Sequence, residues 1–345
     1  MAAADHDGRV PAPTPLIIDT DGGVDDAVAL WWALTDPGLD VVAVTVVWGN
    51  VPLPVAAQSV ARVLAATGRT DVPMALGASS AVAVAPDLRP ATFIHGEDGL
   101  GDTTLGAPVP AAVTRLVEAA GAAEPAPALL ARECAERPGE LTVVTLGPLS
   151  NLALALAESP DLATATADVV VMGGSARAGG NALPNGEANV AHDPAAAARV
   201  VEAPWSRPPL LVGLDVTRQA TLTDAHFALL AERRGRAAEF LDGPLRFYRR
   251  FGSTLTAPDC PCHDLLAVLA VADPPNITAA PVLPLAVDTA GGPSWGATVV
   301  DFRAPAFAAL DGSTQEQPPG FAPWRIALDV DVERFRKQAA RLFAS

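Results

Sequence analysis

The chain has 345 residues, 50% of them hydrophobic, which is enough for one large α/β domain or two smaller ones. With 39 acidic against 23 basic residues the formal net charge is −16, and this argues against nucleic acid or an anionic membrane as the main partner, since phosphate contacts need Lys and Arg. Lys337 is the only lysine, so Schiff-base chemistry and a P-loop lysine are disfavoured, and no apolar run reaches the ~18 residues of a membrane span.

In chain order, residues 1–14 are polar and rich in Pro and Ala, with no apolar signal-peptide region, and read as a loose, disordered tail before a domain spanning 15–345. Leu16–Thr20 reads as a strand and Val24–Thr35 as a helix. Then come strand Val41–Val47, helix Val55–Ala66, strand Pro73–Leu76, helix Pro127–Arg137 and strand Leu141–Leu146. Helix Leu149–Ala157, strand Val169–Met172, helix Pro194–Val201 and strand Leu210–Leu214 follow. The C-terminal part reads as helices Asp224–Glu232, Arg236–Phe251 and Asp264–Ala272, strands Ala297–Phe302 and Ile326–Val330, and helix Val332–Phe343. The Pro/Gly-rich pieces Ala83–Pro110 and Arg303–Pro323 read as long loops.

Several strands are continuously apolar, as expected of parallel strands buried on both faces. The β/α alternation predicts an α/β fold with a doubly wound, mainly parallel sheet in a single domain. Three cysteines, Cys134, Cys260 and Cys262, make neither a disulfide framework nor a zinc site, and fit a reducing cytoplasm.

Polar clusters follow the strands at one edge: Asp19–Asp26, Trp48-Gly49-Asn50, Gly147–Asn151, Gly173–Asn189 and Asp215-Val216-Thr217. Ligands of open parallel sheets bind outside the carboxyl ends of the strands, so these clusters can converge on one site. The densest holds four carboxylates, Asp19, Asp21, Asp25 and Asp26, within eight residues. Helix capping and the helix dipole account for one or two of them, not four. A cation accounts for all, and an all-oxygen donor set suits Ca²⁺ or Mg²⁺ rather than Zn²⁺.

Two resemblances compete for this cluster. Ile17-Ile18-Asp19-Thr20-Asp21-Gly22 resembles the D-x-D-G-T signature of haloacid dehalogenase-like phosphatases, in which Asp19 would be the nucleophile. Gly23 stands in place of the Thr, however, and neither the second acidic pair nor a phosphate-holding lysine is evident. Asp19-Thr20-Asp21-Gly22-Gly23-Val24-Asp25-Asp26-Ala27 more closely resembles the D-T-D-P-G-x-D-D-A fingerprint of inosine-uridine-preferring nucleoside hydrolases. Further segments resemble the same family in the same order. They are Trp48-Gly49-Asn50, His95–Gly101, Leu146–Ala153, Met172-Gly173-Gly174 with Gly180-Asn181 and Glu187–Val190, and Cys262-His263-Asp264.

The resemblance implies a Rossmann-like nucleoside hydrolase fold and a bound Ca²⁺. Its ligands would be Asp21, Asp26, the Leu146 carbonyl and Asp264. It also implies that Asp25, Asn50, Asn181, Glu187 and Asn189 hold the ribose hydroxyls, that Met172 packs on the sugar, and that His95 reaches the base. Asp21 would be the general base and His263 the proton donor to the leaving base. By themselves, Asn181 is equally a turn residue, His263 a helix-end histidine and the His95 segment a polar surface loop. Phe247-Tyr248 reads as helix packing and stays outside the predicted site.

The implied activity is Ca²⁺-dependent hydrolysis of ribonucleosides to ribose and free base, in purine or pyrimidine salvage. The enzyme would be a cytoplasmic homodimer or homotetramer that acts on a small-molecule substrate. A phosphohydrolase and a catalytically silent nucleoside-binding protein are the alternatives. Three departures from the family pattern stand out: Gly22 for Pro, Ala188 for an aromatic found in some members, and Arg218 for a frequent His.

Overall fold

The computed structural model describes residues 12–344 apart from 233, 256–258 and 304–318. Most of the predicted tail, and most of the predicted loop Arg303–Pro323, lie outside the described residues. The sheet strands are β1 (Thr14–Thr20), β2 (Leu39–Val46), β3 (Met74–Leu76), β4 (Thr142–Thr145), β5 (Asp168–Met172), β6 (Leu210–Val212), β7 (Val282–Val287), β8 (Thr298–Val300) and β9 (Ala322–Ile326). They form one nine-stranded sheet in the order β8-β7-β9-β6-β5-β4-β1-β2-β3. From β9 to β3 all neighbours run parallel, while β7 pairs antiparallel with both β8 and β9. The predicted α/β, mainly parallel, doubly wound sheet is therefore present, with an antiparallel edge.

Why the strands are apolar throughout is visible in β1. Leu16 and Ile18 pack into one core and Ile17 into a second core across the sheet. Successive side chains of a strand point to opposite faces, so a strand buried on both sides needs apolar residues at every position. The chain winds outward from β1 to β2 and β3 on one side and through β4 to β6 on the other. The crevice between β1 and β4 is thus the topological switch point, where ligands of such sheets bind.

The helices that matter for the site are α1 (Val24–Thr35), α2 (Leu53–Thr67), α3 (Ser150–Glu158), α4 (Ala188–His192), α5 (Arg236–Leu255) and α6 (His263–Ala272). α1 packs against α6, which sets Asp25 and Asp26 at the start of one helix beside Asp264 at the start of the other.

Three sequence expectations change. Ile326–Val330 is not one strand: β9 ends at Ile326, and Asp329–Val330 pairs separately with Ile277–Ala279. Leu214 opens a helical turn, Leu214–Thr217, rather than closing β6. A helix at Ala111–Ala122 and strand β7 were not expected, whereas the predicted loop Ala83–Pro110 carries only one short helical turn, Thr92–His95.

Candidate active site

The site starts where β1 ends. Thr20, the last residue of β1, turns its hydroxyl onto Asp26 Oδ1 at 2.5 Å, and the Gly23 N–H donates to Asp26 Oδ2 at 2.9 Å. Asp26 is thereby fixed in the first turn of α1, where the helix dipole favours a carboxylate. Asp21 is held from β2: the Asn50 N–H donates to Oδ2 at 2.7 Å and Asn50 Nδ2 to Oδ1 at 2.9 Å. A Cβ on Gly49 would lie 2.1 Å from Asp21 Oδ2, so this approach of β2's end to the carboxylate requires glycine.

Asp25 is held from α5. Tyr248 of α5 donates to its Oδ2 at 3.3 Å, while its Oδ1 is buried without a hydrogen-bond partner.

Asp264, in the first turn of α6, completes the cluster: carboxylate oxygens of Asp25, Asp26 and Asp264 lie within 4.8 Å of one another, all buried. Burial comes first among the causes that push the carboxyls of Asp21 and Asp264 well above the usual range, and that raise Asp25 to about 7. Repulsion from neighbouring carboxylates adds to it, Asp26 for Asp21 and Asp25 for Asp264. Among the described residues no Lys or Arg bonds to any of these four acids. Such a donor set fits a hard divalent cation, which would relieve both burial and repulsion.

The acids adjoin a cavity of about 560 Å³ lined by Asp25, Asp264 and Leu146, by Asn50 and Met172, and by Asn181, Glu187 and Asn189. Glu187 caps α4: its carboxylate accepts from the N–H groups of Gly174, Asn189 and Val190 at 2.9, 3.1 and 3.2 Å. Asn189 Nδ2 donates to the carbonyls of Leu146 and Met172 at 2.8 and 3.1 Å, which ties the ends of β4 and β5 together. Asn181 Oδ1 accepts from the Ala188 N–H at 2.9 Å. Aromatic side chains line the same cavity. His95 packs on Tyr248 with ring centroids 5.3 Å apart, and Phe93 meets Phe251 at 5.4 Å.

The two predicted histidines are neutral at pH 7. His95 Nδ1 accepts from the Val24 N–H at 3.1 Å, so the ring carries its proton on Nε2, and burial lowers its pKa to about 3. His263 Nδ1 lies 2.8 Å from Thr217 Oγ1, and burial together with the Arg218 guanidinium lowers its pKa to about 4. Arg218 itself reaches across the cavity wall and donates to the carbonyls of Ala178 and Gly180 at 2.5 and 2.6 Å.

The family described as inosine-uridine preferring nucleoside hydrolase matches residues 16–337. The chain belongs to that family. A non-specific ribonucleoside hydrolase RihC of Escherichia coli is 35% identical over 332 residues, covering 96% of this chain and 98% of that protein. A probable uridine nucleosidase 2 of Arabidopsis thaliana is 37% identical over 226 residues, 66% of this chain and 67% of that one. The solved structure of the plant nucleoside hydrolase PpNRh1 superimposes with a TM-score of 0.83 at 30% identity, covering 96% of this chain and 99% of that one. The chain is accordingly an enzyme of the N-glycosidase hydrolase class with the nucleoside hydrolase fold.

Within this nucleoside hydrolase, Asp25, Asn50, His95, Met172, Asn181, Glu187 and Asn189 line one cavity together with His263, Leu146 and Asp264. Asp21 and Asp26 stand behind that lining, against the same acids. Asp19 does not join them. The strand's alternation turns it to the face of Ile17, where Thr45 Oγ1 and Asn151 Nδ2 donate to its Oδ1 at 2.6 and 2.7 Å. It is fully buried and absent from the cavity wall, so it cannot serve as the nucleophile of a phosphatase.

Sequence reasoning missed Tyr248, which it assigned to packing, and also His192, Phe93 and Phe251. All four line the cavity. The one signal for Tyr248 is that it is the single tyrosine of the chain; its helical spacing resembles that of any core aromatic.

Proposed function

We propose that the protein uses water to hydrolyse the N-glycosidic bond of ribonucleosides, giving ribose and a free base, with Ca²⁺ as its cofactor. The observation that carries this reading is the convergence of buried, uncompensated carboxylates on a cavity that aromatic side chains also line. A vicinal diol suits the carboxylates and a planar base the aromatic rings.

Asp21, Asp26, Asp264 and the Leu146 carbonyl would hold the ion, which supplies positive charge that orients the 2′- and 3′-hydroxyls and makes a water more acidic. The rest falls to the chain's own side chains. Asp21, made more basic by burial and by Asp26, takes the proton from the attacking water. Asp25 keeps Oδ1 free for a ribose hydroxyl while Tyr248 occupies Oδ2. Glycosidic cleavage develops positive charge on the ring, and a wall of carboxylates stabilises that charge more than it stabilises neutral ribose. Asn50, Asn181, Glu187 and Asn189 fix the sugar, with Met172 beneath it.

Because His263 is neutral, its help to the leaving base is a hydrogen bond from Nε2–H, in the tautomer whose Nδ1 accepts from the Thr217 hydroxyl, rather than transfer from an imidazolium. His95, protonated on Nε2, can assist in the same way from the base side.

Ribose release from inosine and uridine, with Ca²⁺ present and then removed by a chelator, tests the reading. Asp21→Ala is expected to lower kcat by about 10³-fold or more. Near-full activity in that variant would overturn the mechanism, and nucleoside binding without turnover by the unaltered protein would mark it as a silent binding protein. We infer further that the enzyme serves nucleoside salvage in the cytoplasm as a homodimer or homotetramer. Three buried, unpaired cysteines support a reducing compartment, and light scattering reads the oligomer.

A further inference from the structure

The loop after His95 contains a carboxylate that the roles above leave unused. Asp98 is half-buried and does not line the cavity. Its Oδ1 accepts the N–H groups of Leu100 and Asp102, both at 2.8 Å. Its Oδ2 accepts the Thr104 N–H at 2.8 Å and the Thr104 hydroxyl at 2.7 Å. A simple Asx turn uses one backbone donor, so this carboxylate does more than turn the chain.

The backbone shows why the loop needs it. Gly96, Gly99, Gly101 and Asp102 all take left-handed φ, from +59° to +81°, and Asp102 is the only non-glycine residue with positive φ among the described residues. Glycine-rich chain has the most freedom to lose on folding, and a side chain at left-handed φ adds strain. Side-chain bonds offset both. Asp98 supplies most of them, and Asp102 Oδ1 adds one from the Glu97 N–H at 2.6 Å.

The loop so tied is seated between the turn after β1 and α5. A Cβ on Gly99 would lie 2.6 Å from the Gly22 carbonyl oxygen, and one on Gly101 would lie 2.7 Å from Phe247 Cβ. Between them Leu100 is buried in the core. The Gly101 N–H donates to the His95 carbonyl at 2.7 Å, so the loop closes back on the histidine. The Val24 N–H holds the His95 ring from α1. The ring therefore depends on α1 and its backbone on the loop that Asp98 ties.

We propose that Asp98 is a positioning residue: by closing the loop on the His95 carbonyl it holds the imidazole where its Nε2–H meets the leaving base. This rests on the ribonucleoside reading above. Help of that kind matters only where the leaving group needs it. A purine or pyrimidine departs poorly as a bare anion, whereas p-nitrophenolate departs readily without a hydrogen-bond donor.

The test compares inosine with p-nitrophenyl β-ribofuranoside on the unaltered enzyme and on Asp98→Asn, Asp98→Ala and His95→Ala. Asp98→Ala is expected to lower kcat on inosine about tenfold, the worth of one misplaced hydrogen bond, and to leave kcat on the nitrophenyl riboside within about twofold. Asn keeps one oxygen for the Leu100 and Asp102 N–H groups but turns an amide NH₂ toward Thr104, so Asp98→Asn should lose only part of that factor. Adding Asp98→Ala to His95→Ala should not change the ratio of the two rates further. Equal losses on both substrates would overturn the proposal, since Asp98 would then support the fold or the acids in general. So would a ratio that still shifts when His95 is absent. Should Asp98→Ala fail to fold, the same ratio in Asp98→Asn decides. An unaltered protein that cleaves neither riboside overturns the ribonucleoside reading as well, whereas equal losses overturn this proposal alone.

Discussion

At the scale of single residues, what each carboxylate can do follows from which of its oxygens is already engaged. Both oxygens of Asp21 accept from Asn50, and Asp26 is held by Thr20 and Gly23, so these two are oriented before any ligand arrives. Asp19 acts at one remove. Its carbonyl accepts the Leu146 N–H at 2.7 Å and so sets the start of the β4 turn, where Leu146 lines the cavity.

Gly22 is a sharper case. The family pattern has Pro here, and from sequence the change only loosens the turn. The structure gives Gly22 φ +71°, which proline's ring forbids, and a Cβ there would lie 2.8 Å from Ala56 Cα of α2. Restoring the family residue by Gly22→Pro is therefore expected to lower kcat/KM by at least about tenfold and to lower Tm, because it moves Asp21 and Asp26 relative to Asn50. Unchanged activity and Tm in that variant would show that the turn readily adopts the proline path.

Between elements, the question is what holds the long segment after β5 over the cavity. Asp215 accepts the Ala176 and Arg177 N–H groups at 2.6 and 2.8 Å, and Arg218 bridges the Ala178 and Gly180 carbonyls. Both staples come from the short helical turn after β6, so the β6 end fixes the β5 loop that carries Asn181. Arg218→Ala should raise KM about tenfold with a smaller change in kcat, since it frees sugar-binding residues rather than reacting groups. Arg218→Lys should recover only part, because an ammonium does not span two carbonyls as the planar guanidinium does. Steady-state kinetics on the two variants separate this from an effect on chemistry, in which kcat alone would fall.

This division also explains what the sequence made legible. The strand-end clusters could be read because a parallel sheet brings the ends of β1, β2, β4 and β5 to one edge whatever the loops do. Arg218 and His192 bond to backbone carbonyls, which leave no residue-type signature. Tyr248 sits on a helix whose aromatic spacing is shared by packing and function alike. Helix Ala111–Ala122 begins after Pro110 within a run of Ala, Gly and Pro, and neither its caps nor its periodicity stood out.

Across the whole molecule, the buried acids and buried histidines bias stability in opposite directions. A carboxyl whose pKa is higher folded than unfolded holds a proton that the unfolded chain lacks, so stability falls as pH rises through that interval. Asp19 and Asp25, raised from 3.8 to about 7, act in this sense, as do Asp21 and Asp264, which lie well above the ordinary value. His95 and His263, lowered from 6.5 to about 3 and about 4, do the reverse, because there the unfolded chain holds the extra proton and stability rises with pH. The two groups oppose one another from about pH 4 to 6.5. Above pH 6.5 the unfolded chain's histidines lose their remaining protons within about one pH unit, and the carboxyls dominate. Metal-free protein is therefore expected to lose stability between about pH 6.5 and 8. A divalent cation binds the deprotonated carboxylates and competes with their protons, so saturating Ca²⁺ should abolish that loss and stabilise most at the upper end. Calorimetric Tm values with a chelator and with excess Ca²⁺, taken at about pH 5.5, 6.5 and 8, measure the gap directly. A gap that is constant with pH, or widest at pH 5.5, would mean that these carboxylates are not where the ion binds.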